Sequence, residues 1–566
     1  MLNPKQKKVA FELSGNTIVS ASPGTGKTKT LVARAQKKLE SMPNNKSLAL
    51  ITYTNAGADE ISSRLHVEDK DIFIGTIHRF CLEFILRPFS WIYEWNKPRI
   101  VTFDELNEFI ETNPDIDFGD SPLDELNKLK RVLSGELDKS IGWGIIASIE
   151  NVAELYYAFL ISKKAIDFNE ILYRSYKIIS ENSFVSRSLG NKFYEISIDE
   201  FQDTNVFQYE ILKAINITKD CTFFMVGDEK QKIYKFAGAI DDAFENASKD
   251  FDATIENLDF TYRSTTNIIK GYSSLFQNHP QLDNKSKYKD IDFKITIREV
   301  DNQNNSRYIE SEIKKLVEEC NVSLSEIAIL TPRWIDAYFI STALRKNYDV
   351  VGLGALPHKS MNSSTFALIR CLSKFRFSPS IKHLRVIRRN VEFHILENYI
   401  VLNERELTYS VNTLITKFKE IDLDNTLLRG LSILKEIFEY VFKINNSDIQ
   451  EIASAIREEE IGFWTLKKYL KTVSGIDGIT INTIHQAKGL EYDVVFLSGV
   501  NENKIPYQKL LERKGNNWIY EDVTDENLEN GKTLLYVGMS RARVSLIITH
   551  HWKPSLFIST IRKVNQ

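Results

Sequence analysis

The chain has 566 residues, enough at ~150 residues per domain for about four units, each with its own core. Hydrophobic residues make up 43% and charged residues 26%, a globular balance that excludes a largely disordered, collagen-like or mucin-like chain. Lys plus Arg total 73 against 76 Asp plus Glu, a formal net charge of -3, so no global basic field draws nucleic acid or a membrane, and any polyanion site is a local groove.

The N-terminus, MLNPKQKKVAFELSG, has no apolar core of a signal peptide. Runs such as SLALIT and VVFLSGV fall well short of the ~20 residues of a membrane span. Cys81, Cys221, Cys320 and Cys371 are scattered, with no spacing for a zinc knuckle, an iron–sulfur site or a redox dithiol. The expectation is a soluble, cytoplasmic protein with reduced thiols and no membrane partner.

Residues 17–32, TIVSASPGTGKTKTLV, predict a β-branched strand, a glycine-bearing loop and a helix. That order points backbone N–H groups and a helix N-terminus at a polyanion. The loop is Ser22, Pro23, Gly24, Thr25, Gly26, Lys27 and Thr28, with Ala21 where a first glycine is usual. Lys27 would reach the β- and γ-phosphates and Thr28 would hold magnesium. The next periodic segments, LDELNKLKRVLSGEL and IIASIENVAELYYAFLISKKA, read as helical. YEISIDEFQDTN, ending at Asn205, is then an apolar run closing on Asp199 and Glu200. It predicts a buried parallel strand delivering carboxylates at its C-terminal end. Asp199 would bind magnesium through water, and Glu200 would orient or deprotonate the attacking water; the bland alternative is a solvated acidic turn, since Asp203 follows closely.

IAILTPRW at 327–334 predicts another strand. Residues 368–390, LIRCLSKFRFSPSIKHLRVIRRN, carry Arg370, Lys374, Arg376, Lys382, Arg385, Arg388 and Arg389 with no acidic residue, and Phe375 and Phe377 between them. This basic excess is either a duplex or phosphate contact, or a helix face covering its own core or docking a partner protein. LSILKEIFEYVFKI reads as helix and GITINTI as a returning strand. There is no internal repeat and no low-complexity segment.

Several strings together resemble the UvrD/Rep/PcrA branch of superfamily 1 DNA helicases. In chain order they are LNPKQ at 2–6, ALITYTNAGADE at 49–60, GTIHRF at 75–80, DEFQD at 199–203, FMVGDEKQKIYKFAGA at 224–239 and LDFTYRST at 258–265. TINTIHQAKGLEYDVVFLSGVNENKIP and LLYVGMSRAR follow. The resemblance implies an α/β fold with two RecA-like P-loop NTPase domains, each with a mainly helical insert. The first core would take 1–88 and 165–265 with its insert at 89–164, the second 266–354 and 476–566 with its insert at 355–475.

It also implies the roles. ATP and Mg2+ would bind Gln6 and Tyr262 at the adenine, Glu491 at the ribose, residues 22–28 at the phosphates, and Lys29 where the family usually has arginine. Arg263 and Arg541 would be arginine fingers, and Gln231 would couple the phosphate to the DNA path. Single-stranded DNA would lie on Tyr53, Asn55, His78, Tyr234, Phe236 and His485, with Phe236 and Ala237 departing from the family's tryptophan and arginine. The activity implied is ATP-dependent 3′–5′ translocation on single-stranded and tailed duplex DNA, in repair or defence. The alternatives are a DNA-stimulated regulatory ATPase controlling a partner nuclease, and a protein-remodelling ATPase. The chain ends shortly after the last motif, with no fused nuclease expected, and the second insert is short for the processive members. In that it resembles the helicase subunit of Gabija-type anti-phage systems, whose nuclease is a separate subunit.

Overall fold

A computed structural model describes residues 2–65, 71–93, 95, 99–118, 122–139, 142, 145, 148–233, 238–359, 361, 363–514 and 517–564. The first strands are β1 (Thr17–Ala21), β2 (Ser47–Thr52), β3 (Ile72–Thr76), the short parallel pair β4 (Arg99–Ile100) and β5 (Ala165–Ile166), β6 (Phe193–Ile198), β7 (Thr222–Gly227) and β8 (Thr254–Leu258). Six of them make a parallel sheet in the order β3-β2-β6-β7-β1-β8. Every residue of β2 is buried, as a strand covered by helices on both faces requires. The loops that follow β1, β2, β3, β6 and β7 therefore all emerge on one edge.

The second half repeats the design. β9 (Phe260–Thr261) pairs with β10 (Asp283–Asn284). β11 (Thr296–Glu299), β12 (Ile327–Thr331), β13 (Val350–Val351), β14 (Ile479–Thr483) and β15 (Tyr492–Ser498) follow, then the antiparallel pair β16 (Leu510–Lys514) and β17 (Asn517–Tyr520), and last β18 (Ala542–His550). Six of these form a parallel sheet in the order β11-β18-β15-β12-β14-β13. Two six-stranded parallel sheets are the α/β class expected from the sequence.

Helices interrupt both sheets. Between β3 and β6, helices Phe103–Thr112 and Ile149–Ser162 bury Phe109, Val152, Tyr156 and Leu160 in a core of their own. Between β13 and β14 lies a larger helical body. Its helix Leu427–Phe442 starts where Thr426 accepts from the Arg429 N–H and stops at Lys443, which is left-handed with φ 57. Leu427, Leu431, Leu434, Phe438 and Phe442 are all buried along it, the 3–4 spacing of one apolar face. Among the described residues, no helix is long and apolar enough to cross a membrane.

The basic run 368–390 falls on two helices, Ser364–Phe377 and Ile381–Glu397, and most of its arginines are spent inside the protein. Arg376 donates to the carbonyls of Phe418 (2.5 Å) and Ile421 (2.7 Å) at the end of helix Glu404–Glu420, a cationic C-cap. Arg388 pairs with Glu392 and Glu404. Arg385 donates to Leu65 O and Arg389 to Asn55 O, and Arg389 also pairs with Asp59. These last contacts dock the second helical body onto helix Asn55–Arg64 of the first sheet's domain. For these four arginines the packing alternative holds.

One buried ion pair anchors the N-terminal edge of the first sheet. Arg34 and Glu195 are fully buried, with Arg34 Nη2 2.8 Å from Glu195 Oε2, while Arg34 Nη1 holds the carbonyls of Val9 (3.0 Å) and Leu13 (3.2 Å). Arg34 thus ties the N-terminal segment to β6. Removing Arg34 leaves buried Glu195 with Lys38 alone, 3.2 Å away, and breaking such a buried pair costs about 3 kcal/mol. Arg34→Met is therefore expected to lower the thermal unfolding midpoint clearly, whereas the exposed-pair variant Lys37→Met should leave it unmoved.

Candidate functional site

The β1 loop turns into helix Lys27–Ser41 through two left-handed glycines, Gly24 (φ 75) and Gly26 (φ 82). A Cβ on Gly24 would sit 2.5 Å from Arg263 Cβ, and one on Gly26 would sit 2.6 Å from Gln6 Nε2. The loop is closed from outside by the chain around it. Gln6 Nε2 donates to Thr25 O (2.8 Å), Thr261 Oγ1 to Pro23 O (3.0 Å) and Tyr262 N to Gly24 O (2.9 Å). The Tyr262 hydroxyl accepts from Asn3 Nδ2 (2.9 Å), so Gln6 and Tyr262 stand on neighbouring segments over the same loop. Ser22 is buried, Thr28 half-buried and Lys29 exposed.

Lys27 Nζ is buried with no hydrogen-bond partner, 3.7 Å from Glu200 Oε2. Such an ammonium in a glycine cradle fits a phosphate chain. β6 ends where expected, and Glu200 follows it in a left-handed conformation (φ 53, ψ 44), a strained placement for a side chain with a Cβ, of the kind found at functional sites. Gln202 Nε2 donates to Glu200 Oε2 (2.5 Å) and Asp199 Oδ1 accepts from the Glu200 N–H (3.1 Å).

Electrostatics separates the two carboxyls. Burial, then the charge of Glu200, pushes Asp199 up to about 7. Burial opposes ionisation of Glu200 as well, but Lys27 and Lys488 outweigh it and hold Glu200 down at about 2. Glu200 is therefore the permanently ionised member, suited to accept a proton. Thr28 and Asp199 supply a hydroxyl and a carboxyl, a hard-oxygen pair that fits Mg2+, which takes one or two protein ligands and completes its shell with phosphate and water.

The second sheet closes the site from the opposite side. Arg541 is 2% exposed; its Nη2 donates to Gln231 Oε1 (3.2 Å) and its Nε to Val537 O (2.9 Å). Burial, then Arg263, pulls the Arg541 guanidinium down to about 9, still charged at neutral pH. Arg263 is held by Glu491 (2.7 Å) and by Ser540 O (3.1 Å). Glu491, expected at the ribose, is thus engaged by Arg263 here.

Lys488 was not among the expected site residues, although it lies in the quoted AKGLE string. From the second sheet's domain it pairs with buried Asp203, donates to Gln231 O (2.9 Å) and stands 3.8 Å from Glu200. Asp203, read only as part of an acidic turn, is its anchor. Gln231 is aligned by Asp228, which accepts from Gln231 Nε2 (2.8 Å) and from the Tyr536 hydroxyl (3.3 Å).

The candidate DNA residues lie along the outlet edges of the two sheets. Tyr53 and Asn55 follow β2, His78 follows β3 and His485 follows β14. Burial lowers His78 to about 4, and burial with Lys488 does the same to His485, so both rings are neutral hydrogen-bonding groups near pH 7. The His78 ring meets Phe168 edge-on at 5.6 Å. Tyr234 and Phe236 lie outside the described residues.

Comparison with known proteins matches the sequence to the UvrD/REP helicases. The profile of the UvrD/REP helicase N-terminal domain matches residues 2–252, and that of the UvrD-like helicase C-terminal domain matches 257–476 and 407–553. Over 99% of its length the chain is 28% identical to the DNA helicase II of Rickettsia typhi, covering 95% of that protein. It is 25% identical over 98% of its length to the ATP-dependent DNA helicase PcrA of Bacillus subtilis, covering 83% of it. It is 24% identical over 97% to the ATP-dependent DNA helicase Rep of Buchnera aphidicola, covering 93%. With matches running through both sheets and both helical bodies, the chain belongs to the UvrD/Rep helicase family.

Proposed function

We propose that this helicase is an ATP-driven motor that moves 3′ to 5′ along single-stranded DNA, with Mg2+ at Thr28 and Asp199. The observation that carries the reading is the charge arrangement across the cleft. Lys27 and Glu200 come from the first sheet's side, with Arg263 packed on the glycine loop; Lys488, Arg541 and Glu491, the partner of Arg263, come from the second sheet's side. A transferring phosphoryl group held from both sides couples its loss to the distance between two rigid bodies. When bound, the metal would neutralise charge on the phosphates. Gln231 accepts from Arg541 and stands three residues before Tyr234 in the sequence, the proposed route from phosphate to strand.

The test is ATP hydrolysis with and without oligothymidylate, followed by strand displacement on duplexes with a 3′ or a 5′ tail. DNA stimulation with opening only from the 3′ tail is the expected result; hydrolysis indifferent to DNA would overturn the reading. Phe236→Ala should weaken strand coupling by ~1–3 kcal/mol, the worth of one stacking platform, read as a loss of DNA affinity in that assay. Because the arginines at 376, 385, 388 and 389 hold the protein itself together, little of the basic run is left to grip a duplex. The isolated chain is expected to open short tailed duplexes and fail on those of several hundred base pairs, and a partner such as a separate nuclease subunit would supply the missing grip.

A further inference from the structure

Three cations of the basic run remain unspent: Lys382, which is exposed on helix Ile381–Glu397, and the pair Arg370 and Lys374. Arg370 and Lys374 stand one turn apart on helix Ser364–Phe377, and neither has a hydrogen bond or ion pair among the described residues. Their helix packs on helix Ile381–Glu397, whose Arg389 reaches Asn55 and Asp59 of helix Asn55–Arg64. Burial, and next the charge of Arg370, draws the Lys374 ammonium down to about 8, against the pull of Asp59. The buried Cys371 thiol feels Asp59, Arg389 and Lys374 together, which gathers these charges around one spot. The carboxylate there, Asp59, is already taken by Arg389 and Asn390. Arg389 itself is 7% exposed, and its Nε is buried without a partner.

Arg389 and Lys374 thus share one committed acid, with Arg370 adding like charge beside Lys374, a costly arrangement unless an anion completes it. The spot borders Asn55, whose carbonyl holds Arg389, and so the β2 outlet where the strand is proposed to run. We propose that Lys374, with Arg370 beside it, seats one backbone phosphate of the tracked single strand, entered from the side of Asn55. The proposal rests on the DNA-tracking reading above. A phosphodiester supplies the acceptor oxygens and negative charge that Asp59 cannot, through charge-assisted hydrogen bonds.

The test is oligothymidylate binding by fluorescence anisotropy over a salt series, using the full chain as wild type, Lys374→Gln, Arg370→Gln and Lys374→Arg. Lys374→Gln should bind about tenfold more weakly at low salt. Its log–log salt slope should be flatter by about 0.7, the loss of one phosphate contact on a single strand. Arg370→Gln should move both quantities the same way, and Lys374→Arg should keep them. Without DNA, the thermal midpoint of Lys374→Gln should stay or rise, because an ammonium held against burial has been removed. Wild-type slope and affinity in both Gln variants would overturn the seat. So would an unchanged slope with weakened nucleotide affinity, which would assign the cations to free nucleotide phosphate. If the wild type bound no single strand at all, the DNA-tracking reading would fall first, and the seat with it.

Discussion

Glu200→Gln is expected to bind ATP almost as the wild type does and to turn it over about 10³-fold more slowly, the size of a lost general base. The amide keeps the shape of the side chain and its contact with Gln202, but it cannot take a proton. In the wild type, Lys27 and Lys488 overcome burial to hold Glu200 ionised down to about 2. The base is therefore ready at any working pH, and acidification from pH 8 to 6 should not slow turnover through this group. Lys27→Ala should abolish hydrolysis by a different route, since the phosphates lose the loop's cation. The measurement is binding of a fluorescent ATP analogue beside phosphate release with saturating oligothymidylate. A Glu200→Gln protein that hydrolysed ATP near the wild-type rate would remove the end of β6 from the reaction.

What could be read in advance follows from range. The phosphate loop and the strand ending in Asp199 and Glu200 are local constraints, a glycine-bearing turn and an apolar run closing on acids, so a short window of sequence carries each. Single strands such as TIVS and IAILT were legible for the same reason, whereas their division into two sheets followed from the order of the family strings. The cross-cleft lattice was not. Lys488 meets Asp203 across 285 positions of sequence, and Arg34 meets Glu195 across 161, distances over which neither spacing nor composition holds a signal. The basic run 368–390 shows the same limit from the other side. Its charge excess was plain, but whether an arginine faces phosphate or caps a helix depends on which carbonyl arrives beside it, as Phe418 O and Ile421 O do for Arg376.

Arg541→Ala is expected to cut DNA-stimulated turnover by about 10³-fold while leaving the sheets intact, the scale of an arginine finger. Two adjacent guanidiniums explain why the effect should be large. Arg541 is buried beside Arg263, and the repulsion between them adds to burial in lowering its pKa. An incoming phosphoryl group would relieve that repulsion, and most strongly where negative charge builds up on it. Arg263→Ala should give a loss of similar size, with release of Glu491 from its 2.7 Å pair. Because both arginines close one cleft, the double variant should lose little more than either single one, a non-additivity that separates finger pairs from independent surface charges. Lys488→Met completes the series. It leaves Asp203 buried without its cation and removes one of the two charges holding Glu200 ionised. Its turnover should therefore fall, and fall further on acidification, unlike that of either arginine variant. Additive losses at Arg263 and Arg541, or a Lys488→Met pH profile parallel to the wild type, would mean that the two sheets do not act on one phosphate.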